Sequence, residues 1–183
     1  MIIGISFSLS DVTAYSDFSI YHWRARKDWR TESNLSNHIV YQWNCQQREG
    51  RIYNLATKQC LVEDVDWVAL SEDGDSLAVF AKDGYRGFIN RFEGQVVVQP
   101  ACYTHAWVFA EGLAVVVEKG RLFFIDHRGK VVIDNGMMAD VENASYLFSH
   151  GVCQVENQQH KGQWGVMDRH GQWVDHCLMK ESP

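Results

Sequence analysis

Near the C-terminus, Asp168, His170, Asp175, His176 and Cys177 bring together carboxylate, imidazole and thiolate, the donor types of a zinc site. Asp168 and His170, however, stand where an earlier copy of the same pattern has Asp126 and Arg128. Turn chemistry is therefore the simpler reading, and no metal is expected. A second candidate is residues 21–30, where Arg24, Arg26, Lys27 and Arg30 interleave with Trp23 and Trp29. Basic side chains neutralise phosphate and aromatic rings stack on bases. Four cations in a chain of net charge −6 make a weak footprint for a polyanion, which speaks against nucleic acid. The third candidate is acidic. Glu63, Asp64, Asp66, Glu72, Asp73 and Asp75 all fall between Lys58 and Lys82, with no basic residue among them. Such a face raises the association rate with a basic partner. Trp67 lies inside this stretch and suits an interface anchor, since hot spots favour Trp, Tyr and Arg.

Chemistry beyond binding finds little support. The sequence carries no nucleophile elbow, phosphate-cradling loop or two-histidine helix motif. Carboxylates are abundant, but nothing marks two of them as an acid–base pair. The expectation is a protein that is not an enzyme and takes no cofactor. The cysteines at 45, 60, 102, 153 and 177 are odd in number and widely spread, with no pair at two-residue spacing. Cys60 takes the place of Val96 and Val131, and Cys153 that of Ala78 and Ala114, so both read as small buried hydrophobes.

What must position these residues is a repeat. Phe109-Ala110-Glu111-Gly112-Leu113-Ala114-Val115-Val116 leads into Leu122-Phe123-Phe124-Ile125-Asp126, then Gly129-Lys130-Val131-Val132-Ile133. Its echo downstream is Phe148-Ser149-His150-Gly151-Val152-Cys153-Gln154-Val155, Trp164-Gly165-Val166-Met167-Asp168 and Gly171-Gln172-Trp173-Val174. Upstream it is Leu77-Ala78-Val79-Phe80, Gly87-Phe88-Ile89-Asn90 and Gly94-Gln95-Val96-Val97-Val98. A worn first copy places Ile52-Tyr53-Asn54 in register, with Lys58 where the glycine should be. Asn54, Asn90, Asp126 and Asp168 lie 36, 36 and 42 residues apart, and the last interval grows at a hairpin tip around residues 156–163.

Each copy reads as a three-strand antiparallel meander. Residues 113–118 are apolar and β-branched, Lys119-Gly120 supplies a two-residue turn, and 121–126 returns. The Asn or Asp ending the middle strand favours a turn by bonding nearby backbone. Gly94, Gly129 and Gly171 are expected to adopt the left-handed conformation in the following turn. Ahead of the copies, Ile3, Ile5, Phe7 and Leu9 alternate as a strand, 18–23 could pair with it, and 24–37 reads as a short helix or a loop. The expected division is an N-terminal capping segment at 1–38, a repeat array at 39–177 and a tail at 178–183. The fold class is all-β: tandem antiparallel β-meander repeats, propeller-like or open solenoid.

Phe-x-Glu-Gly-Leu-Ala-x-Val followed by Trp-Gly-x-Ile-Asp and Gly-Lys-x-Val-Ile resembles the WG-repeat family. The resemblance covers roughly residues 39–177 in three clear units and one degenerate unit. The Trp-Gly pair itself stands at Trp164-Gly165, with Arg86-Gly87 and Leu122-Phe123 at the equivalent positions. It implies an all-β array with no catalytic site inherent to the repeat, mostly bacterial, working through contacts with partners.

At 183 residues, 46% hydrophobic and 22% charged, the chain suits one globular domain or array. No apolar run approaches the roughly 18 residues that span a bilayer, and the N-terminus lacks a basic leader, so a cytoplasmic protein is expected. The functional expectation is a protein-binding repeat protein. Its most concrete form is a bacterial immunity protein whose Glu63, Asp64, Asp66, Trp67, Glu72, Asp73 and Asp75 cover a basic toxin such as a ribonuclease. The alternative is a carbohydrate or cell-wall ligand-binding module using exposed tryptophans.

Overall fold

The computed structural model describes residues 29–71, 74–142, 144, 146–157 and 163–179, and these are all-β, with no helix among them. Among the described residues, fifteen strands form four antiparallel sheets, each a meander in chain order. Sheet 1 holds β1 (Arg30–Asn34), β2 (Ile39–Asn44), β3 (Glu49–Asn54) and β4 (Gln59–Glu63). Sheet 2 holds β5 (Trp67–Ala69), β6 (Leu77–Lys82), β7 (Tyr85–Asn90) and β8 (Val96–Tyr103). Sheet 3 holds β9 (His105–Ala106), β10 (Ala114–Glu118), β11 (Arg121–Ile125) and β12 (Val131–Ile133). Sheet 4 holds β13 (Val152–Asn157), β14 (Gln163–Asp168) and β15 (Trp173–Met179).

The predicted turns are present and their chemistry is local. Lys119 and Gly120 both have positive φ, 51° and 79°, and close Glu118 onto Arg121. That is the tight hairpin turn whose twist matches the flanking strands. Asn54, Asn90, Asp126 and Asp168 each accept backbone N–H bonds two to four residues ahead, at 2.8–3.1 Å. Gly94, Gly129 and Gly171 have φ of 76°, 75° and 79°, and Lys58 holds the same conformation at 58° in the worn copy. The glycines have a second reason to be small. A Cβ added at Gly94 would stand 2.7 Å from Leu61 Cδ1, at Gly129 2.6 Å from Val98 Cγ2, and at Gly171 2.8 Å from Ile133 Cγ2. Each therefore seats its turn against the last strand of the preceding sheet.

Three apolar clusters fill the seams between consecutive sheets. Ile39, Tyr41 and Ile52 of sheet 1 meet Ala78, Phe80 and Ile89 of sheet 2. Leu77, Val79 and Phe88 of sheet 2 meet Ala114, Val116 and Ile125 of sheet 3, with Phe109 between them. Val115, Leu122 and Phe124 of sheet 3 meet Cys153, Val155 and Met167 of sheet 4. Alternate residues of β6 and β10 thus face opposite neighbours, so both sides of these strands are buried and their sequences run continuously apolar. Among the described residues no cluster joins sheet 1 to sheet 4.

Three expectations need correction. Residues 30–34, expected within a helix or loop, form β1, paired with β2. Sheets 2 and 3 likewise open with a short strand, β5 or β9, that the three-strand reading omitted. β1 is polar throughout and β9 has two residues, so neither carries a periodic signal. Cys60 is exposed, not buried, because its position lies on the outer strand, where the equivalent Val131 is also exposed. The proposed hairpin at residues 3–23 lies outside the described residues.

The wedge of each glycine turn yields a graded prediction. Gly129→Ala should cost about 2–4 kcal/mol of unfolding free energy, from left-handed strain plus the clash with Val98. Gly136→Ala, with φ of 72° and nothing within 4 Å of the added carbon, should cost only the strain, about 1–2 kcal/mol. Denaturant titration of both variants checks the order; equal losses would remove the close-approach argument.

Candidate partner-binding surface

Strands β3 and β4 pair so that Arg51 stands opposite Glu63. Around this pair opens a groove of about 200 Å³ lined by Trp29, Glu49, Gly50, Arg51, Cys60, Glu63 and Asp64. Its fixed centre is Arg51. The guanidinium carbon lies 4.0 Å from the Trp29 ring centroid and 4.3 Å from that of Tyr53, and Arg51 Nε donates to Gln42 Oε1 at 3.0 Å. Cation–π contacts of this kind contribute about 0.5–2 kcal/mol each, so the side chain is held flat between two rings. The carboxylates Glu49, Glu63 and Asp64 rim it.

The fold distributes the sequence-predicted residues unevenly. Glu63 and Asp64 share the groove wall, with Asp64 in a left-handed conformation at φ 55°. Asp66 is exposed next to them, its N–H donating to Ala81 O at 2.8 Å and its carbonyl accepting from Tyr41 Oη at 2.8 Å. Trp67 is 37% exposed and carries the Arg86 guanidinium 5.0 Å above its ring. Asp75 does not join them. Its side chain is only 10% exposed; Oδ1 accepts from Leu77 N–H at 2.9 Å and Oδ2 meets His127 Nε2 at 2.8 Å. Asp75 therefore ties sheet 2 to sheet 3. Glu72 and Asp73 lie outside the described residues.

Sequence reasoning missed the cations that the fold inserts into this surface. Lys82 Nζ donates to Glu63 O at 2.9 Å and approaches Asp64 Oδ2 at 3.5 Å, while Arg51 stands opposite Glu63 and Arg86 lies over Trp67. The stretch without basic residues in the sequence is thus interleaved with three cations in space. Cross-strand register was the available signal for Arg51; Lys82 arrives from the next sheet and left none.

The thiols of Cys60 and Cys153 are pushed above their ordinary range. Partial desolvation against the groove wall, and then the charge of Glu63, push Cys60 up. Cys153 is 1% exposed and burial alone pushes its pKa to about 12. Of the residues weighed as zinc ligands, Asp168 has its Oδ1 taken by the N–H groups of His170 and Gln172, and these backbone bonds hold it below the ordinary carboxylate range. The side chains of Asp175, His176 and Cys177 lie outside the described part of the chain.

Cys153 gives a pH prediction with a definite sign. Its folded pKa lies above the ordinary thiol value of 9.0, so the stability it supports is complete below pH 9.0 and declines as pH rises towards about 12. Urea unfolding across that window should show a steeper loss in the wild type than in Cys153→Ala, by up to about 1.4 kcal/mol per pH unit. Identical slopes would mean that the thiol titrates freely in the folded state.

Comparison with known proteins places the repeat. Residues 87–121 match the family model of the WG containing repeat. That window runs from β7 through β10, so the family unit bridges sheets 2 and 3 instead of coinciding with one sheet. No curated protein matches the chain. Among solved structures, the computationally designed Ika4 protein is 18% identical at a TM-score of 0.43, over 73% of this chain and 86% of that one. Hsv2 of Kluyveromyces lactis is 14% identical at a TM-score of 0.45, over 80% of this chain and 49% of its own. The chain spans about half the length of Hsv2. The family match and the meander sheets agree: residues 87–121 are similar to the WG containing repeat, within a chain built of antiparallel meanders.

Proposed function

We propose that the chain is a non-catalytic protein-binding repeat protein whose acidic groove receives basic side chains of its partner. The observation that carries this reading is the convergence of Glu49, Glu63 and Asp64 on one groove, with exposed Trp67 following on the next strand. Carboxylates at a rim steer a basic partner and set the association rate, whereas a large aromatic anchor governs dissociation. Arg51 and Lys82 reduce the acidic character without removing it: three carboxylates, Glu49, Glu63 and Asp64, face these two cations, which leaves a net negative charge. In its concrete form the protein is a bacterial immunity protein. It acts in the cytoplasm of the producing cell and blocks the cleft of a basic, nuclease-type toxin.

The test is titration of the full chain against basic ribonuclease-toxin domains, with ribonuclease inhibition as the second readout. Binding should weaken as salt rises. Glu63→Lys with Asp64→Lys should slow association about tenfold or more, and Trp67→Ala should chiefly speed dissociation. Affinity unaffected by salt and by the charge reversal would refute the assignment. Salt-independent binding of oligosaccharides, abolished by Trp67→Ala, would favour the carbohydrate-binding alternative instead.

A further inference from the structure

The end of the array opposite the hairpin tip of β2 and β3 has a different electrostatic character. Strand registers place the turns after Asn90, Asp126 and Asp168 beside the starts of β6, β10 and β13: Leu77 pairs with Asn90, Ala114 with Ile125 and Val152 with Asp168. These turns present Arg91, His127, Arg128, Lys130, Arg169 and His170, of which all but half-buried Arg91 are exposed. Of these, His127 and Arg169 are spatial neighbours. A Cβ built at Gly112 would lie 3.5 Å from Arg169 Nη2 and 3.7 Å from His127 Cε1.

Among the described residues, Asp75, Glu111, Asp126 and Asp168 at this end are turned inward. Asp75 bonds Leu77 N–H and His127, and Glu111, at the equivalent repeat position, accepts from Gly151 N–H at 2.8 Å. Asp126 and Asp168 accept N–H groups of their own turns. Among the described residues of these turns, Glu93 is the carboxylate left exposed. Structural bonds thus engage these carboxylates, Asp75 together with His127, while Arg128, Lys130 and Arg169 face outward. At the first of these turns Phe92 is 58% exposed with the Arg91 guanidinium carbon 4.7 Å from its ring centroid, and Arg91 Nε is buried without a hydrogen-bond partner among the described residues.

We propose that this row of repeat turns is a second binding surface, one that takes an extended acidic polypeptide segment laid across sheets 2 to 4. Sheets packed face to face lie about 10 Å apart, a distance that roughly three residues of an extended segment span. The guanidinium forks of Arg128 and Arg169 suit carboxylates in a bidentate manner. The chain as a whole bears −6, which repels a long polyanion sampling its entire surface but not a short segment confined to this row. The surface is separate from the groove at Arg51, so occupation of one does not require the other.

Fluorescence anisotropy with a labelled Glu-rich peptide tests it, using the full chain and a single-stranded oligonucleotide of matched charge for comparison. The peptide should bind in a salt-sensitive manner. Arg128→Glu with Lys130→Glu and Arg169→Glu should weaken it at least about tenfold. Lys130→Glu alone, a single exposed change, should weaken it in the same direction, whereas Lys119→Glu, at a tip on the other end, should leave it unchanged. Absence of salt-sensitive peptide binding, equal binding by the triple variant, or preference for the oligonucleotide would each overturn the proposal.

Discussion

The constraint on which the rest depends is that each sheet buries its apolar faces only against the sheets before and after it. Phe80 points into one seam and Val79 into the next, so β6 belongs to two cores at once. A strand so placed must be apolar on both sides, and its polar backbone must be satisfied entirely by β5 and β7. The glycine of each second turn lets the following sheet approach closely enough for this, with its Cα seated against Leu61, Val98 or Ile133. A side chain there would push the sheets apart and open the seam. Small residues at the turns and large ones in the seams are therefore two parts of one packing solution.

The same arrangement decides which charges are available. Carboxylates that precede an inner strand, Asp75 and Glu111, reach the next unit and become ties between sheets. Glu49, at the start of β3, and Glu63 and Asp64, at the end of β4, instead line a groove. Position within the repeat, more than residue type, separates structural from surface carboxylates. Acidic groove and cationic turn row consequently occupy different parts of the array, although the sequence mixes both signs along its length.

Much of the fold was legible because its signals are local. Asn90, Asp126 and Asp168 act within four residues, and Lys119-Gly120 closes a hairpin without outside help. β1 was illegible because five polar residues at a sheet edge have no alternation to display. The site was legible only in part. Glu63 and Asp64 were singled out by composition, and both line the groove. Trp67 is partly exposed, as an anchor must be. Asp75 looked like its acidic neighbours because charge density carries no direction; its register with Glu111 was the clue to an inward role. Lys82 reaches Glu63 and Asp64 from sheet 2, which only the packing of whole sheets could arrange, whereas Arg86 reaches Trp67 through strand register within sheet 2.

Shared seams make a direct demand on local stability, since loss of one seam should be felt by its two walls before it is felt elsewhere. Native-state hydrogen exchange of Phe80→Ala against the wild type measures this. Phe80 is fully buried between sheets 1 and 2. Protection should fall most in β2, β3, β6 and β7 and least in β13 and β14. An equal fall in all four sheets would indicate one common core, and a fall confined to β6 and β7 would indicate self-sufficient sheets; either result would contradict the account.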